Sequence, residues 1–111
     1  MPIKIKRRYL ALKIDSVEKI SSKEFNKAFW EAVLRLFGEY GASKTGMTLI
    51  HYDEEKGFAI IRVALSEVEK VRAAIASITN VQSKQAAIHV LKVSGTLRSL
   101  HKNKALFKTP V

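Results

Sequence analysis

The chain has 111 residues, 47% of them apolar, so it is long enough for one hydrophobic core, too short for two, and too apolar for a disordered basic tail. The absence of cysteine excludes disulfides, thiol nucleophiles and thiolate zinc sites. No apolar run near the start resembles a signal peptide and no uncharged stretch approaches the roughly 18 residues of a membrane span, so a cytoplasmic protein with no membrane partner is expected. The net charge of +10 is segregated: all ten acids lie between Asp15 and Glu69, which leaves +5 before that window, −3 within it and +8 after it. A concentrated basic surface displaces counterions from a polyphosphate, whereas a merely solubilising surface interleaves the signs.

In chain order, Lys4, Lys6, Arg7 and Arg8 form a basic arm over residues 1–7 and the start of the core. Residues 9–14 then alternate, with Leu10, Leu12 and Ile14 on one face and Tyr9, Ala11 and Lys13 on the other, which predicts a strand. Ser21 and Glu24 have the spacing of a reciprocal capping box, and Phe25, Phe29, Val33, Leu36, Phe37 and Tyr40 continue one helical stripe. Gly38 and Gly41 should end this helix near residue 41. Two further strands, 47–52 and 58–65, flank the polar, Gly-terminated link Asp53-Glu54-Glu55-Lys56-Gly57 and should pair as a hairpin. Ser66 and Glu69 repeat the capping-box spacing ahead of a second helix running to about residue 79 with Val68, Val71, Ile75 and Ile78 on its apolar side. A fourth strand over 87–93 stops at Ser94-Gly95-Thr96, and a short helical segment with Leu97 and Leu100 follows.

Strand, helix, strand, strand, helix, strand is the split βαβ order, so the expected class is α+β, a ferredoxin-like (RRM-like) sandwich. Four antiparallel strands would be backed on one face by two helices, with the core over 8–95 and a basic segment over 96–111 of a single domain. In that topology the first strand is central and antiparallel to the last. Arg7 and Arg8 should therefore lie near residues 94–98, and the two basic flanks should merge.

RNA-binding sheets of this class stack bases on aromatics of the open face, within an octamer on strand three. Here that segment reads Lys56-Gly57-Phe58-Ala59-Ile60-Ile61-Arg62-Val63, which matches the first four positions and then substitutes aliphatics for aromatics. If Ala59, Ile61 and Val63 face the helices, then Phe58, Ile60 and Arg62 face outward beside Tyr9 and Ala11. That outer face is too apolar for solvent and calls for a cover. Either the C-terminal segment, with Leu97, Leu100, Leu106 and Phe107, or a protein partner would supply it. Tyr9, Trp30, Phe58 and Ile60 are the protein-interface candidates, although Trp30, beside Phe29 on the first helix, also suits packing at the core rim. His51, His89 and His101 lack metal-ligand spacing, and Asp53, Glu54 and Glu55 suit a solvated hairpin tip, so no catalytic residue and no metal ligand is assigned.

Phe37-Gly38-Glu39-Tyr40-Gly41, then Gly57 with Ile60-Ile61-Arg62, and above all Val93-Ser94-Gly95-Thr96-Leu97-Arg98 resemble blocks of the archaeal ribonuclease P protein component 2 family. The eukaryotic relative is the small subunit shared by ribonucleases P and MRP. The resemblance runs from Arg8-Tyr9-Leu10 to just past Arg98, whereas residues 101–111 match no motif. It implies a non-catalytic subunit of an assembly that removes the 5′ leader from precursor tRNA, in which the RNA performs the chemistry with its own magnesium ions and the protein binds no cofactor. The implied partners are ribonuclease P RNA, protein component 3 in a hetero-oligomer, other ribonuclease P proteins and, indirectly, precursor tRNA. Carried onto this chain, Gly57, Arg62, Ser94, Gly95, Thr96 and Arg98 stand out: Gly95 for a turn or close approach to phosphate, Thr96 as a helix cap, Arg98 for the RNA backbone. The expected RNA-binding set is Lys4, Lys6, Arg7, Arg8, Arg62, Gly95, Thr96, Arg98, Lys102 and Lys104. Two other readings stay open: a generic single-strand RNA-binding module that stacks bases on Tyr9 and Phe58, and a small ferredoxin-like enzyme or metabolite binder, which would need a chemically convergent pocket.

Overall fold

Alternation along β1 (Arg7–Ser16) sends Leu10, Leu12 and Ile14 into the main core and Ala11 to the opposite face. The computed structural model describes residues 6–97. Over these, β1 is followed by α1 (Ser22–Lys44), β2 (Thr48–Asp53), β3 (Phe58–Ala64), α2 (Val68–Ser77), β4 (Asn80–Val81) and β5 (Lys84–Ser94). The strands form one antiparallel sheet in the order β2-β3-β1-β5-β4, so β1 is central and antiparallel to β5, as its pattern required. Among the described residues there are thus five strands, not four. The extra one is β4, which joins β5 through Gln82 and Ser83, both with positive φ (50° and 70°). Positive φ at both central residues is the type I′ hairpin condition, and Gln-Ser lacks the Asn-Gly signature that announces such a turn in a sequence.

Both helices cover one face of the sheet. Phe25, Phe29 and Val33 of α1 and Val71, Ala74 and Ile75 of α2 pack with Leu10, Leu12, Ala59, Ile61, Val63 and Ile88 into the principal core. Truncating either of the fully buried phenylalanines to alanine should cost about 3–5 kcal/mol, so this stripe dominates the stability of the helical layer.

α1 starts as expected: the Glu24 backbone N–H donates to Ser21 Oγ (3.2 Å) and the Ser21 N–H donates to the Glu24 carboxylate (3.0 Å). It does not stop at Gly41. Gly38 takes φ 73°, ψ 179°, a region open essentially to glycine alone, and the helix resumes beyond this break to Lys44. Thr45 closes it, donating to Ala42 O from both its N–H and its hydroxyl. At α2 the expected capping box is absent. A single 3₁₀ turn, Leu65–Glu67, intervenes, and the residue at the cap position, Glu67, makes no side-chain cap bond. Ser66 lies inside that turn rather than at an extended flanking position, where its hydroxyl would meet a free N–H. The arm–core boundary also shifts: Arg7 already belongs to β1, opposite Ala64, and Lys6 O accepts from Leu65 N–H (2.8 Å).

The β2–β3 hairpin is tied to β1 at its tip. The Ile14 N–H donates to Gly57 O (2.7 Å), Gly57 has φ 64°, and a Cβ placed there would sit 2.5 Å from Ile14 O. Gly57→Ala is therefore expected to destabilise the protein by about 2 kcal/mol or more in urea unfolding, with wild-type stability as the contrary result. A second outcome concerns acid. Backbone hydrogen bonding at Ser21, then Lys84 at 3.1 Å, holds the Glu24 carboxyl below its ordinary value of 4.5. A depressed carboxylate stabilises the fold above its unfolded-state pKa, and that contribution is lost as pH falls through the lower folded-state value. Melting temperatures measured from neutral pH down through the carboxylate range should drop less in Glu24→Gln than in wild type.

Candidate nucleic-acid interface

The β1 register brings the basic flanks together. Tyr9 lies between Arg62 of β3 and Ser94 of β5, Ala11 between Ile60 and Lys92, and Lys13 between Phe58 and His89. Arg8 donates to Arg7 O (3.0 Å), and its Nη1 lies 3.7 Å from where a Cβ on Gly95 would stand, so the start of β1 and the turn after β5 meet as expected. Lys4, Arg98, Lys102 and Lys104, and the suggested covers Leu100, Leu106 and Phe107, lie outside the described residues.

Among the described residues, Lys19 pairs with Glu55 (2.6 Å), Lys84 with Glu24 (3.1 Å) and Lys70 with Glu67 (3.6 Å), while Lys6, Arg7, Arg8, Arg62 and Lys92 have no carboxylate partner. Arg62 Nε is buried with no hydrogen-bond acceptor among the described residues. Because β1 is antiparallel to both neighbours, its far end carries Asp15 and lies beside the hairpin tip with Asp53, Glu54 and Glu55. The acids of the hairpin tip thus gather at one end of the strands, while Arg7, Arg8, Arg62 and Lys92 stand toward the other, where Glu67 is paired with Lys70. Such a surface suits phosphate oxygens, which guanidinium and ammonium groups meet through charge-assisted hydrogen bonds.

Ser94 organises the turn at this end. Its hydroxyl donates to Thr96 O (3.0 Å) and accepts from the Thr96 N–H (3.3 Å). Gly95 needs no positive φ, and a side chain there would make only ordinary contact with Arg8, so the glycine is not sterically demanded. Leu97 is helical, but the segment that Thr96 was expected to cap extends outside the described residues.

Lys92 and His89 join the same face unforeseen. β5 has an irregularity where Ala11 pairs with Lys92 but Leu12 pairs with Val90, leaving Leu91 as the extra residue of a bulge. Strict alternation would have put Lys92 on the helix side with Val90, and the bulge reverses it. Only the unbroken positive run after Glu69 pointed to Lys92.

The interface candidates divide. Phe58 and Ile60 do face away from the helices beside Ala11, but they are only 5% and 1% exposed, forming a small second core under Tyr9, Ile50 and Leu97. Of the two covers expected for this face, the chain's own Tyr9, Ile50 and Leu97 supply one over Phe58 and Ile60. Leu97 is the part of the proposed cover that is described. The same burial takes Phe58 away from any base-stacking platform; its ring instead lies near His51, 6.2 Å between centroids. Tyr9 is half-buried against this cluster. Trp30 packs at the rim of the main core, edge-on to Phe29 at 5.2 Å. At the acidic end, burial first and then Glu54 and Glu24 push the Tyr52 phenol up to about 12, and its hydroxyl donates to Ile20 O.

Known proteins are similar to this chain in sequence and in fold. The sequence model of the Rpp14/Pop5 family matches residues 8–105. Ribonuclease P protein component 2 of Pyrococcus furiosus is 36% identical over 95 residues, 86% of this chain and 79% of that protein. The proteins of the same name from Methanosarcina barkeri and Methanocaldococcus jannaschii are 31% and 36% identical, over 86% and 84% of this chain and 70% and 68% of theirs. Among solved structures, a chain of yeast ribonuclease MRP, determined by cryo-EM, superposes with a TM-score of 0.71 at 18% identity, covering 88% of this chain and 80% of that one, a likeness of fold.

The burial pattern predicts which substitutions act on folding. Phe58→Ala should cost about 3 kcal/mol in urea unfolding, whereas Gly95→Ala should stay within about 0.5 kcal/mol of wild type. A neutral Phe58→Ala would show that the outer face is open after all.

Proposed function

Because the chain belongs to the Rpp14/Pop5 family, we propose that it is an RNA-binding protein subunit of ribonuclease P, supporting removal of the 5′ leader from precursor tRNA by organising the catalytic RNA. One observation carries the reading: the register puts Arg62 and Lys92 on the outer face of the sheet toward the end where Arg8 lies beside Gly95, and none of the three has a carboxylate partner among the described residues. Contacts there would be mainly to phosphate and sugar, so recognition would follow the shape of a folded RNA more than its sequence. In this reading the chemistry and its magnesium ions belong to the RNA. The strand order, with both helices on one face, supports classing the scaffold as a ferredoxin-like variant carrying an added edge strand.

The proposed protein partners are protein component 3, in a hetero-oligomer, and the other ribonuclease P proteins, with precursor tRNA engaged through the RNA and a cytoplasmic setting. Since Phe58 and Ile60 are buried, a protein partner would be met elsewhere; Leu34, Leu36 and Tyr40 of α1 are exposed apolar side chains. No helix among the described residues is long and apolar enough to cross a membrane. The alternative, a generic single-strand binder, is less well supported because the stacking pair it needs has Phe58 buried within the fold.

The test is binding to ribonuclease P RNA across a salt series, with reconstituted precursor-tRNA cleavage in parallel. Replacing Arg8, Arg62 and Lys92 together by glutamine should weaken binding and flatten the dependence of log K on log salt by about two to three units, roughly one for each phosphate that is no longer neutralised. Omitting the protein should lower cleavage at low magnesium. An unchanged salt slope together with unchanged cleavage would overturn the assignment.

A further inference from the structure

The pairing across β1 lays out the outer face of the sheet in rows. The first row is Arg62, Tyr9 and Ser94, the second Ile60, Ala11 and Lys92, and the third Phe58, Lys13 and His89. Each row carries a basic side chain, and the next one, where Asp15 faces Ala87, ends the run with an acid. The centre of this field is closed, since Ala11, Phe58 and Ile60 are buried in the small second core. The β5 side is open: His89 is exposed and Lys92 half-buried.

The basic groups line up along β5. Arg8 stands beside Gly95 at the end of the strand, Lys92 follows, and His89 is the next residue of β5 on the same face. Successive rows on one face of a strand lie about 7 Å apart, comparable with the step between neighbouring phosphates of an RNA strand. The His89 ring has neither a hydrogen-bond nor an ion-pair partner among the described residues. The charged groups around it are Lys13 across from it on β1, itself fastened to Lys56 O (2.7 Å), Lys92 on its own strand, and Glu69 and Arg72 of α2, which line a groove together with it. A protonated imidazole donates from both ring nitrogens and carries a charge, so it meets a phosphate as a short guanidinium would. We propose that the RNA backbone held at Arg8 and Lys92 continues along β5 to His89, whose imidazolium donates to the next phosphate. Binding then tightens and becomes more salt-sensitive as pH falls through the histidine range, because one more phosphate is neutralised. A ring that turned to Glu69 on protonation would give no such gain.

The contact rests on the RNA-binding reading and extends it to a side chain beyond Arg8, Arg62 and Lys92. The test is titration of the full-length protein with ribonuclease P RNA across a salt series, near pH 6 and near pH 8, in wild type, His89→Gln and His51→Gln. Wild type should bind about threefold or more tightly near pH 6, as a charge-assisted contact is gained. Its dependence of log K on log salt should steepen by roughly 0.7–0.9. His89→Gln should abolish both differences, and His51→Gln should keep them, because His51 lies on β2, across the closed cluster and beside Phe58. Equal affinity and slope at the two pH values, a difference that survives in His89→Gln, or one lost in His51→Gln overturns the contact and leaves the RNA-binding reading standing. No binding of the RNA at either pH sinks both. Should His89→Gln fail to fold, labelling of the wild-type histidines with diethyl pyrocarbonate near pH 6 decides: protection of His89 by the RNA supports the contact, and equal labelling with and without RNA overturns it.

Discussion

β1 is hydrogen-bonded on both sides and buried on both faces, and the rest of the molecule is arranged around that condition. Leu10, Leu12 and Ile14 hold the helical layer, while Ala11 closes against Phe58 and Ile60 on the other side. A one-residue slip against β3 or β5 would exchange those sets, so the register is strongly specified. With both neighbours antiparallel, the first residues of β1 must lie beside the last residues of β3 and β5. Arg8, Arg62 and Ser94 meet for this reason, although they are distant along the chain.

The same register separates the charges. Glu55 and Glu24 take up Lys19 and Lys84 away from the basic end. At the opposite end Arg8, Arg62 and Lys92 have no carboxylate partner among the described residues. Conversely, the outer face of the sheet is less available than its composition suggests. With Phe58 and Ile60 buried in a second small core, that face offers no open aromatic ring from β3 for stacking.

Local features were legible. The Ser21–Glu24 box, the hairpin ending in Gly57, the two amphipathic stripes and the inward and outward sets of β1 and β3 rest on contacts a few residues apart or on simple alternation. The misreadings also have local causes. Ser66 and Glu69 have the same spacing as Ser21 and Glu24, but the 3₁₀ turn places Ser66 in the wrong backbone state. Gln82-Ser83 adopts a turn usually announced by glycine or asparagine. Gly38 interrupts α1 without ending it, because the chain regains helical geometry and Thr45, not Gly41, supplies the closure.

The amino-acid sequence by itself determined the order of the long elements, the side of each strand that faces the helices up to the first bulge, and the uneven distribution of charge, since these depend on neighbouring residues and on counting. Which cations stand together was decided only by the tertiary structure. The bulge at Leu91 turned Lys92 outward, the pairing across β1 set Arg62 beside Tyr9, and the 3₁₀ turn after β3 buried the Glu67 carboxylate with Lys70 as its ion-pair partner. Each of these depends on backbone hydrogen bonds or packing between residues far apart in the chain, and no local pattern specifies those partners.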